Sequence, residues 1–373
     1  MRRAAAAGRT GAALALCLAG GLAGAAGAAA QQPARLAEAA DVLGRLIETY
    51  GVSGHEAPVR DAVIRLLPAW ARPSVDTAGN VLVRAGSGAP LVVFVAHLDE
   101  IGFVVTAIRD DGGLDLRAAG GFYPSLFEGE PALVHTSRGV VPAVFVPRDS
   151  AGPAPRRSPG ALRADPGTAS RAATEALGIR PGDAVTMPKA FVPLAGSRAT
   201  GRSMDDRVGC AAQLLALRRL DPRALRHAVV FVFSVREEIG LEGAKAAAAD
   251  LAAERPARVH AIDTFVSADA PLEIPTFADA PLGGGAVVRA IDNSAVAPPA
   301  LVDSLLALAR SRGIPLAAGT TNGGNDGSVF TAYGVSDVGL GWPLRYAHSP
   351  AEVIDLTDLV ALADVIQAIA EGW

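Results

Sequence analysis

Two nearly continuous apolar runs constrain the fold of this chain more than any other feature. They cover residues 91–95 (LVVFV) and 229–233 (VVFVF), and histidine or acidic residues follow each of them closely. A strand that is apolar at every position is typical of a sheet covered on both faces, as parallel sheets are. Stretches with helical periodicity alternate with these and other strand-like stretches. The pattern predicts an α/β fold, in the form of a three-layer α/β/α domain with a mainly parallel sheet.

The character of the sequence changes between about 120 and 192. Short β-like pieces (PALVHTSRGVVPAVFV and GDAVTMPKAFVPL) surround a Pro-, Ser- and Arg-rich stretch at 147–166, which is typical of a loop. We therefore predict a first catalytic segment at 31–119, an inserted small β domain at 120–192 and a second catalytic segment at 193–373. A chain of 373 residues, 50% of them hydrophobic, is long enough for this arrangement.

Residues 1–30 have the three-part layout of a secretory signal peptide. The basic residues Arg2, Arg3 and Arg9 come first, an apolar stretch follows, and small residues end at Ala30. The apolar part is shorter than the ~20 residues of a transmembrane helix, which argues against a membrane anchor. We expect export to the periplasm or the medium, with cleavage after Ala30 and no stable membrane span afterwards.

The charge balance argues against a nucleic-acid partner. Removing residues 1–30, which hold three arginines and no acidic residue, changes the net charge from −4 to −7. The mature chain has no block of basic residues that resembles a nucleic-acid footprint. Cys17 leaves with the signal peptide and Cys210 stays alone, so no internal disulfide is expected and stability must come from core packing or metal.

Histidines and carboxylates follow the predicted strands or begin the predicted helices at several places. They are His97 and Asp99, Asp205 and Asp206, Glu237 and Glu238, Asp263, and His348. Ligands of an open α/β sheet bind beyond the carboxyl ends of its strands, so we expect these side chains at one edge. Each also has a plainer explanation on its own, as a core histidine paired with a local acid, a helix N-cap or a solvated carboxylate.

Together these residues have the composition of a two-metal site. Two imidazoles and three carboxylates can hold two divalent cations, with one carboxylate bridging them. Oxygen and nitrogen ligands without thiolate suit zinc, cobalt or manganese. A remaining carboxylate could take a proton from the attacking water, and this combination performs hydrolysis. The chain has no G-x-S-x-G elbow, P-loop or dinucleotide fingerprint.

Six ordered segments resemble one family, the TET-type dinuclear metallo-aminopeptidases (metallopeptidase family 42), also described as glutamyl, deblocking or cellulase-M-like aminopeptidases. They are GVSGHEAPVR, AHLDEIGFVV, SMDDRVGC, VREEIGLEGA, AIDTFVSADAP and RYAHSPAEVIDLTD. The resemblance implies a zinc-peptidase-like catalytic domain with an inserted β-barrel of the PDZ-like type. It also implies a homo-oligomer, in many members a hollow dodecamer that admits only peptides.

The resemblance assigns the metal ligands by position. His97 and Asp263 would hold one cation, and Glu238 and His348 the other, with zinc the expected metal. Asp205 would bridge the two cations and would be joined to the next residue by an unusual peptide bond.

The resemblance also assigns the remaining roles and the reaction. Asp99 would orient His97, and Glu237 would be the general base. The expected reaction removes N-terminal residues from short peptides. A related two-metal amidohydrolase that acts on N-acyl amino acids or dipeptides is the open alternative. An idle exported metal- or peptide-binding protein is disfavoured because no ligand or base is missing, and a glycosidase because it needs a carboxylate pair without metals.

The chain departs from the family pattern in three respects. Family members are mostly cytosolic, whereas this chain carries an export signal. Asn325 stands where the family usually has threonine in a Gly-Thr-Asp sequence. The inserted domain contains the unusual stretch 147–166, where assembly contacts are expected to differ. None of these departures affects a predicted ligand.

Overall fold

The computed structural model describes residues 32–147, 162–270 and 280–372. The α-helices are α1 (32–47), α2 (Ala57–Leu66), α3 (Arg171–Ala176), α4 (Met204–Arg219), α5 (Glu242–Leu251), α6 (Pro299–Arg312) and α7 (Leu356–Gly372). Short 3-10 helices lie at Pro124–Phe127, Ala252–Glu254 and Asp326–Tyr333.

The strands are short and many, and they belong to several sheets. In chain order they are β1 (Ser74–Val75), β2 (Val81–Ala85), β3 (Leu91–His97), β4 (Gly102–Ile108), β5 (Leu114–Ala119), β6 (Pro131–Thr136), β7 (Gly139–Phe145), β8 (Arg163–Asp165), β9 (Ala184–Thr186), β10 (Val192–Pro193), β11 (Arg198–Gly201), β12 (Ala228–Ser234), β13 (Arg258–Ala261), β14 (Phe265–Val266), β15 (Ala286–Ile291), β16 (Leu316–Thr320), β17 (Ser336–Asp337), β18 (Gly339–Gly341), β19 (Pro343–Leu344) and β20 (Glu352–Asp355).

The two apolar runs form neighbouring strands of a six-stranded sheet with the order β1-β2-β12-β3-β13-β17. Strand β3 pairs in parallel with β12 on one side and with β13 on the other. Strands β1 and β2 are antiparallel to their neighbours at one edge. The sheet is therefore mixed, with a parallel centre. The predicted α/β fold class is confirmed.

Alternate residues of β3 belong to two separate hydrophobic cores, which explains why the run is apolar throughout. Val92 and Phe94 lie in a core with residues of α1, α2, α4 and α7. Val93 and Val95 lie in another core with residues of α5. Each of these fully buried side chains contributes roughly 1.5–3 kcal/mol of hydrophobic stabilisation, so a polar residue on either face would be costly.

A closed barrel with the strand order β4-β5-β8-β7-β6-β9 follows the end of β3. Three phenylalanine rings pack together among the aliphatic side chains of its core, with ring centroids 5.0 Å apart for Phe103 and Phe145 and 5.5 Å apart for Phe103 and Phe127. The sequence pattern assigns β4 and β5 to the segment 31–119, but the structure places both strands in the barrel. No change in composition marks the barrel's start, because β4 continues the apolar character of β3 after a short polar break. The predicted limits of the inserted domain, 120–192, otherwise stay a prediction.

Two segments singled out in the sequence lie wholly or mostly outside the described residues. The predicted signal peptide, residues 1–30, lies outside the described residues, as does most of the stretch 147–166. Among the helices that are described, none has the length and hydropathy needed to cross a bilayer.

Asp358, in the first turn of α7, is a fully buried carboxylate whose ionisation should affect stability. It accepts hydrogen bonds from the backbone N–H groups of Gly283 (2.8 Å) and Gly285 (2.7 Å). Burial raises its pKa to about 7, although the two N–H groups act in the opposite direction. Because this pKa lies above the usual value of about 4, stability from the protonated form is present at low pH and is lost as pH rises through 7.

We therefore expect the free energy of unfolding to fall more steeply between pH 4 and pH 7 in the wild type than in Asp358→Asn. The expected difference in slope is on the order of 1 kcal/mol per pH unit at most. Urea denaturation at several pH values measures it, and equal slopes in the two proteins would contradict the ionisation assigned to Asp358.

Candidate metal centre

The carboxyl ends of β3 and β12 bring the first predicted site residues together. His97 is the last residue of β3, and it pairs in register with Ser234, the last residue of β12. Glu237 and Glu238 follow in the loop before α5. Arg236, directly before them, has a left-handed conformation with φ 54°, which ends the regular alternation of a strand. This local turn allows the two neighbouring glutamates to take different positions at one edge of the sheet.

Four of the predicted residues converge on one another. Asp205 Oδ1 lies 3.1 Å from His97 Nε2, and Asp205 Oδ2 lies 3.2 Å from His348 Nε2. Glu238 Oε1 is 3.3 Å from the same His348 nitrogen. Within the part of the chain that the structure describes, His97, Asp205 and Glu238 are the group whose ligand atoms all lie within 4.8 Å of one another.

The hydrogen bonds of both histidines leave Nε2 as the ring nitrogen that is available to a metal. His97 Nδ1 lies 3.1 Å from the backbone oxygen of Asp99, and His348 Nδ1 lies 2.7 Å from the backbone oxygen of Gly121. Carbonyl oxygens only accept, so each Nδ1 carries a proton and each Nε2 is free to act as a ligand. Both Nε2 atoms face carboxylate oxygens, so each of these contacts needs either a proton on Nε2 or a cation between the two atoms. A metal cation can take the place of that proton, so the donor set fits a metal.

The electrostatics of the centre support the same conclusion. Burial raises the pKa of Glu237 well above its usual range despite the proximity of His97. Burial lowers the pKa of His348, but Glu238 and Asp205 outweigh it and raise that pKa to about 12. The buried Oε1 of Glu238 accepts no hydrogen bond. The centre thus contains more buried negative charge than its own cationic groups balance, which divalent cations would correct.

Asp99 fixes the loop that carries the two glutamates. Its carboxylate accepts hydrogen bonds from the backbone N–H of Glu237 (2.9 Å) and of Glu238 (3.2 Å). Ser53 Oγ donates a third, at 2.6 Å. Burial raises the pKa of Asp99, but the contacts with His97 and these donors hold it below its usual value. The side chain lies 3.6 Å from His97 Nδ1, farther than the residue's own backbone oxygen, so Asp99 contacts both the histidine and the loop.

The side chain of Asp206, next to Asp205, bonds to backbone N–H groups and does not belong to the converging group. The peptide bond between the two residues is cis. Asp206 accepts hydrogen bonds from the N–H of His97 at 2.9 Å and of Gly209 at 3.0 Å, the second near the start of α4. The helix-capping alternative for the acidic pair therefore applies to Asp206.

The structure does not bring Asp263 into the converging group. Its Oδ2 lies 3.0 Å from Nη1 of Arg289, a buried arginine that also contacts Asp292 at 3.1 Å. Asn325 donates to the same Asp292 oxygen at 2.6 Å and accepts from the N–H of Gly327 at 2.7 Å. Asn325, which replaces the usual threonine, thus caps the 3-10 helix Asp326–Tyr333 and is linked to Asp263 through Asp292 and Arg289.

Glu352 is a residue of the site that the sequence pattern does not reveal. Its carboxylate is buried and accepts hydrogen bonds from the backbone N–H of His348 (2.8 Å) and of Asp205 (3.4 Å). The only signal in the sequence is an acidic residue four positions after His348, and such spacing is common on protein surfaces. Arg289 likewise gives no signal, because it lies within a strand.

A family model described as M42 glutamyl aminopeptidase matches residues 79–365 of this sequence. The chain belongs to the M42 glutamyl aminopeptidase family. The M42 chain is similar in structure to the TET1 peptidase of Pyrococcus horikoshii, with a TM-score of 0.82 and 34% sequence identity over 89% of this chain and 99% of that one. The resemblance indicated by the six sequence segments is confirmed.

Two further relatives are similar along nearly their whole length. The lysyl aminopeptidase of Pyrococcus furiosus is 29% identical over 349 residues, which cover 89% of this chain and 96% of that protein. The glutamyl aminopeptidase of Lactococcus lactis is 28% identical over 350 residues, which cover 88% and 95%. The M42 chain is therefore a peptide-bond hydrolase of the aminopeptidase class, from a family of metallopeptidases.

Proposed function

We propose that this M42 aminopeptidase is an exported two-metal enzyme that removes N-terminal residues from short peptides. The observation that carries the proposal is the convergence of two histidine Nε2 atoms on the two oxygens of Asp205, at 3.1 and 3.2 Å. One carboxylate with an imidazole beside each oxygen is the arrangement expected for a ligand that bridges two cations.

The remaining ligands follow from the family pattern, and the geometry supports Glu238 and His348 among them, whereas Asp263 comes from the family pattern alone. His97 and Asp263 would hold one cation, with Arg289 on the second oxygen of Asp263. Glu238 and His348 would hold the other, since their ligand atoms are 3.3 Å apart. Two imidazoles with carboxylates suit zinc, and cobalt or manganese can also use these ligands.

Glu237 is the proposed general base. When bound, the cations supply Lewis acidity that polarises the scissile carbonyl and makes the attacking water more acidic. Oε2 of Glu237 lies 4.0 Å from His97 Nε2, so its carboxylate borders the centre without belonging to the converging group. Glu237 would take the proton of the water and deliver it to the leaving amine, while Asp99 holds its backbone N–H.

The finer architecture belongs to the same proposal. The partition of β3 between two helix-containing cores supports a three-layer α/β/α arrangement, and the closed barrel supports a PDZ-like domain. The TET1 peptidase of Pyrococcus horikoshii can assemble into a tetrahedron or a large octahedral shell. We propose a homo-oligomer, with the dodecamer as the first state to examine by light scattering.

A panel of free and N-acetylated aminoacyl-anilides tests the reaction. We expect the mature protein, residues 31–373, to hydrolyse only the free substrates and to contain two zinc ions per chain by elemental analysis. Treatment with EDTA should abolish turnover, and added zinc should restore it. Hydrolysis of the acetylated substrates would favour the amidohydrolase, and activity that EDTA does not affect would exclude a metal enzyme.

Cell fractionation tests the proposed export. The full-length chain, expressed in a bacterial host, should appear in the periplasm or medium with an N-terminus at Gln31. A replacement of Arg2 and Arg3 by glutamate should reduce export, because the basic segment of a signal peptide is lost. An uncleaved protein confined to the cytosol would contradict this part of the proposal.

A further inference from the structure

Glu100 lies where the chain leaves the central sheet for the barrel, between Asp99 and β4. Its buried carboxylate lies 2.7 Å from Nζ of Lys189 and 2.8 Å from Nη2 of Arg202. Nη2 of Arg207 is 3.4 Å away. The side chains of all three cations are at most 2% exposed, so a single carboxylate faces three buried cations.

The side chains that contact the Glu100 carboxylate come from the segment in which the chain leaves the barrel. Lys189 follows β9, the last strand of the barrel, and Arg202 follows β11. Ser203 Oγ also donates a hydrogen bond to the Glu100 carboxylate. Arg202, Ser203 and Arg207 flank Asp205, so Glu100 holds the segment that carries the proposed bridging ligand from both sides.

The backbone of Glu100 belongs to the other half of the site. The preceding residue, Asp99, binds the N–H groups of Glu237 and Glu238. The N–H of Glu100 donates to the oxygen of Gly51 at 3.0 Å, and the N–H of Gly51 donates back to the Glu100 carboxylate at 2.8 Å. These contacts fix Glu100 in place. Glu100 therefore connects the Asp205 segment, through its side chain, with the glutamate loop, through its backbone.

We propose that Glu100 is a positioning residue that sets the spacing between Asp205 and Glu238 and thereby the affinity of the centre for metal. It acts through Arg202, Ser203 and Arg207 and is not itself placed among the ligands or the proton-transfer groups. The inference rests on the proposed function, which makes Asp205 and Glu238 metal ligands. It adds to that function a residue that is not a ligand.

We expect the negative charge of Glu100, as well as its hydrogen bonds, to affect the position of the Asp205 segment. Glutamine at this position keeps the size and one acceptor oxygen but leaves the buried guanidinium groups of Arg202 and Arg207 without a counter-charge, whereas Lys189, whose pKa burial lowers to about 7, can lose its proton. Unpaired buried charges move toward solvent or toward other carboxylates. Arg202 also interacts electrostatically with the buried carboxylate of Glu352, which accepts a hydrogen bond from the backbone N–H of His348. Such a shift would move the Asp205 segment away from the glutamate loop.

Zinc affinity of the whole protein, measured by competition with a chromogenic chelator, tests the proposal. We expect Glu100→Gln to weaken binding by about 10–100-fold, the usual effect of losing a partner that orients ligands. Glu100→Asp, which retains the charge, should recover part of the affinity. Asp358→Asn is the matched control. It also removes a buried carboxylate with backbone donors, but these donors belong to Gly283 and Gly285 and not to residues of the centre, so zinc affinity should not change.

The outcomes separate this inference from the proposed function. If wild-type protein binds two zinc ions and folded Glu100→Gln binds them with the same affinity and the same kcat, Glu100 has no positioning role. If wild-type protein binds no zinc and EDTA has no effect, the proposed function itself is wrong. Should Glu100→Gln fail to fold, Ser203→Ala removes one contact of the same link, and we expect a loss of about fivefold, the equivalent of one hydrogen bond. Unchanged zinc affinity in folded Ser203→Ala would also overturn the inference.

Discussion

Replacement of Glu237 by glutamine is expected to lower kcat by about 10²–10⁴-fold while both metal ions stay bound. Glutamine keeps the shape of the side chain but cannot take a proton from water. Glu237 lies beside the converging group rather than in it, since its Oε2 is 4.0 Å from His97 Nε2. Its backbone N–H is held by Asp99, so the loop should keep its conformation in the variant.

Steady-state kinetics on samples of known metal content measure the effect. Two neighbouring substitutions make the comparison specific. Glu238→Gln should weaken metal binding, because Glu238 is a proposed ligand. Glu242→Gln should behave as wild type, because Glu242 is about half exposed and pairs with Arg236 at 2.6 Å. A fully active Glu237→Gln enzyme, or one that has lost its metals, would refute the role of Glu237 as base.

The edge at which the site forms could be predicted from the sequence because parallel strands impose it. The runs 91–95 and 229–233 are apolar at every position, so they had to be central strands with covered faces. Polar residues at the ends of such strands then meet at one edge. The structure places His97 opposite Ser234 in the parallel register and brings Glu238 near His348, as that reasoning requires.

The supporting residues could not be predicted, because their partners are distant in sequence and leave no local pattern. The three cations around Glu100 lie 89, 102 and 107 positions away from it. In the sequence, Glu100 looks like an ordinary acid next to Asp99. The pairing of Asp263 with Arg289 and the start of the barrel at β4 were hidden for the same reason. A buried ion pair or a change of sheet depends on tertiary packing, whereas hydrophobic periodicity records only local structure.

Replacement of Asp205 by asparagine is expected to remove metal binding and activity together. Each oxygen of Asp205 faces a different histidine, at 3.1 and 3.2 Å, so both proposed cations depend on this side chain. An amide has a single acceptor oxygen, and its NH₂ group would donate a hydrogen bond to one Nε2 lone pair. In the variant, one Nε2 atom would therefore have a hydrogen-bond partner without a metal, whereas in the wild type the proposed cations would contact both Nε2 atoms.

The decisive measurement for Asp205→Asn is the dependence of Tm on zinc concentration. A ligand that binds only the folded state stabilises it by RT ln(1 + [L]/Kd), so the wild-type Tm should rise with zinc and the variant's should not. Asp358→Asn should have a different Tm without metal but should keep the zinc-dependent rise, since its partners lie outside the centre. A parallel zinc-dependent rise in Asp205→Asn would show that the cations bind elsewhere, and the bridging role of Asp205 would have to be abandoned.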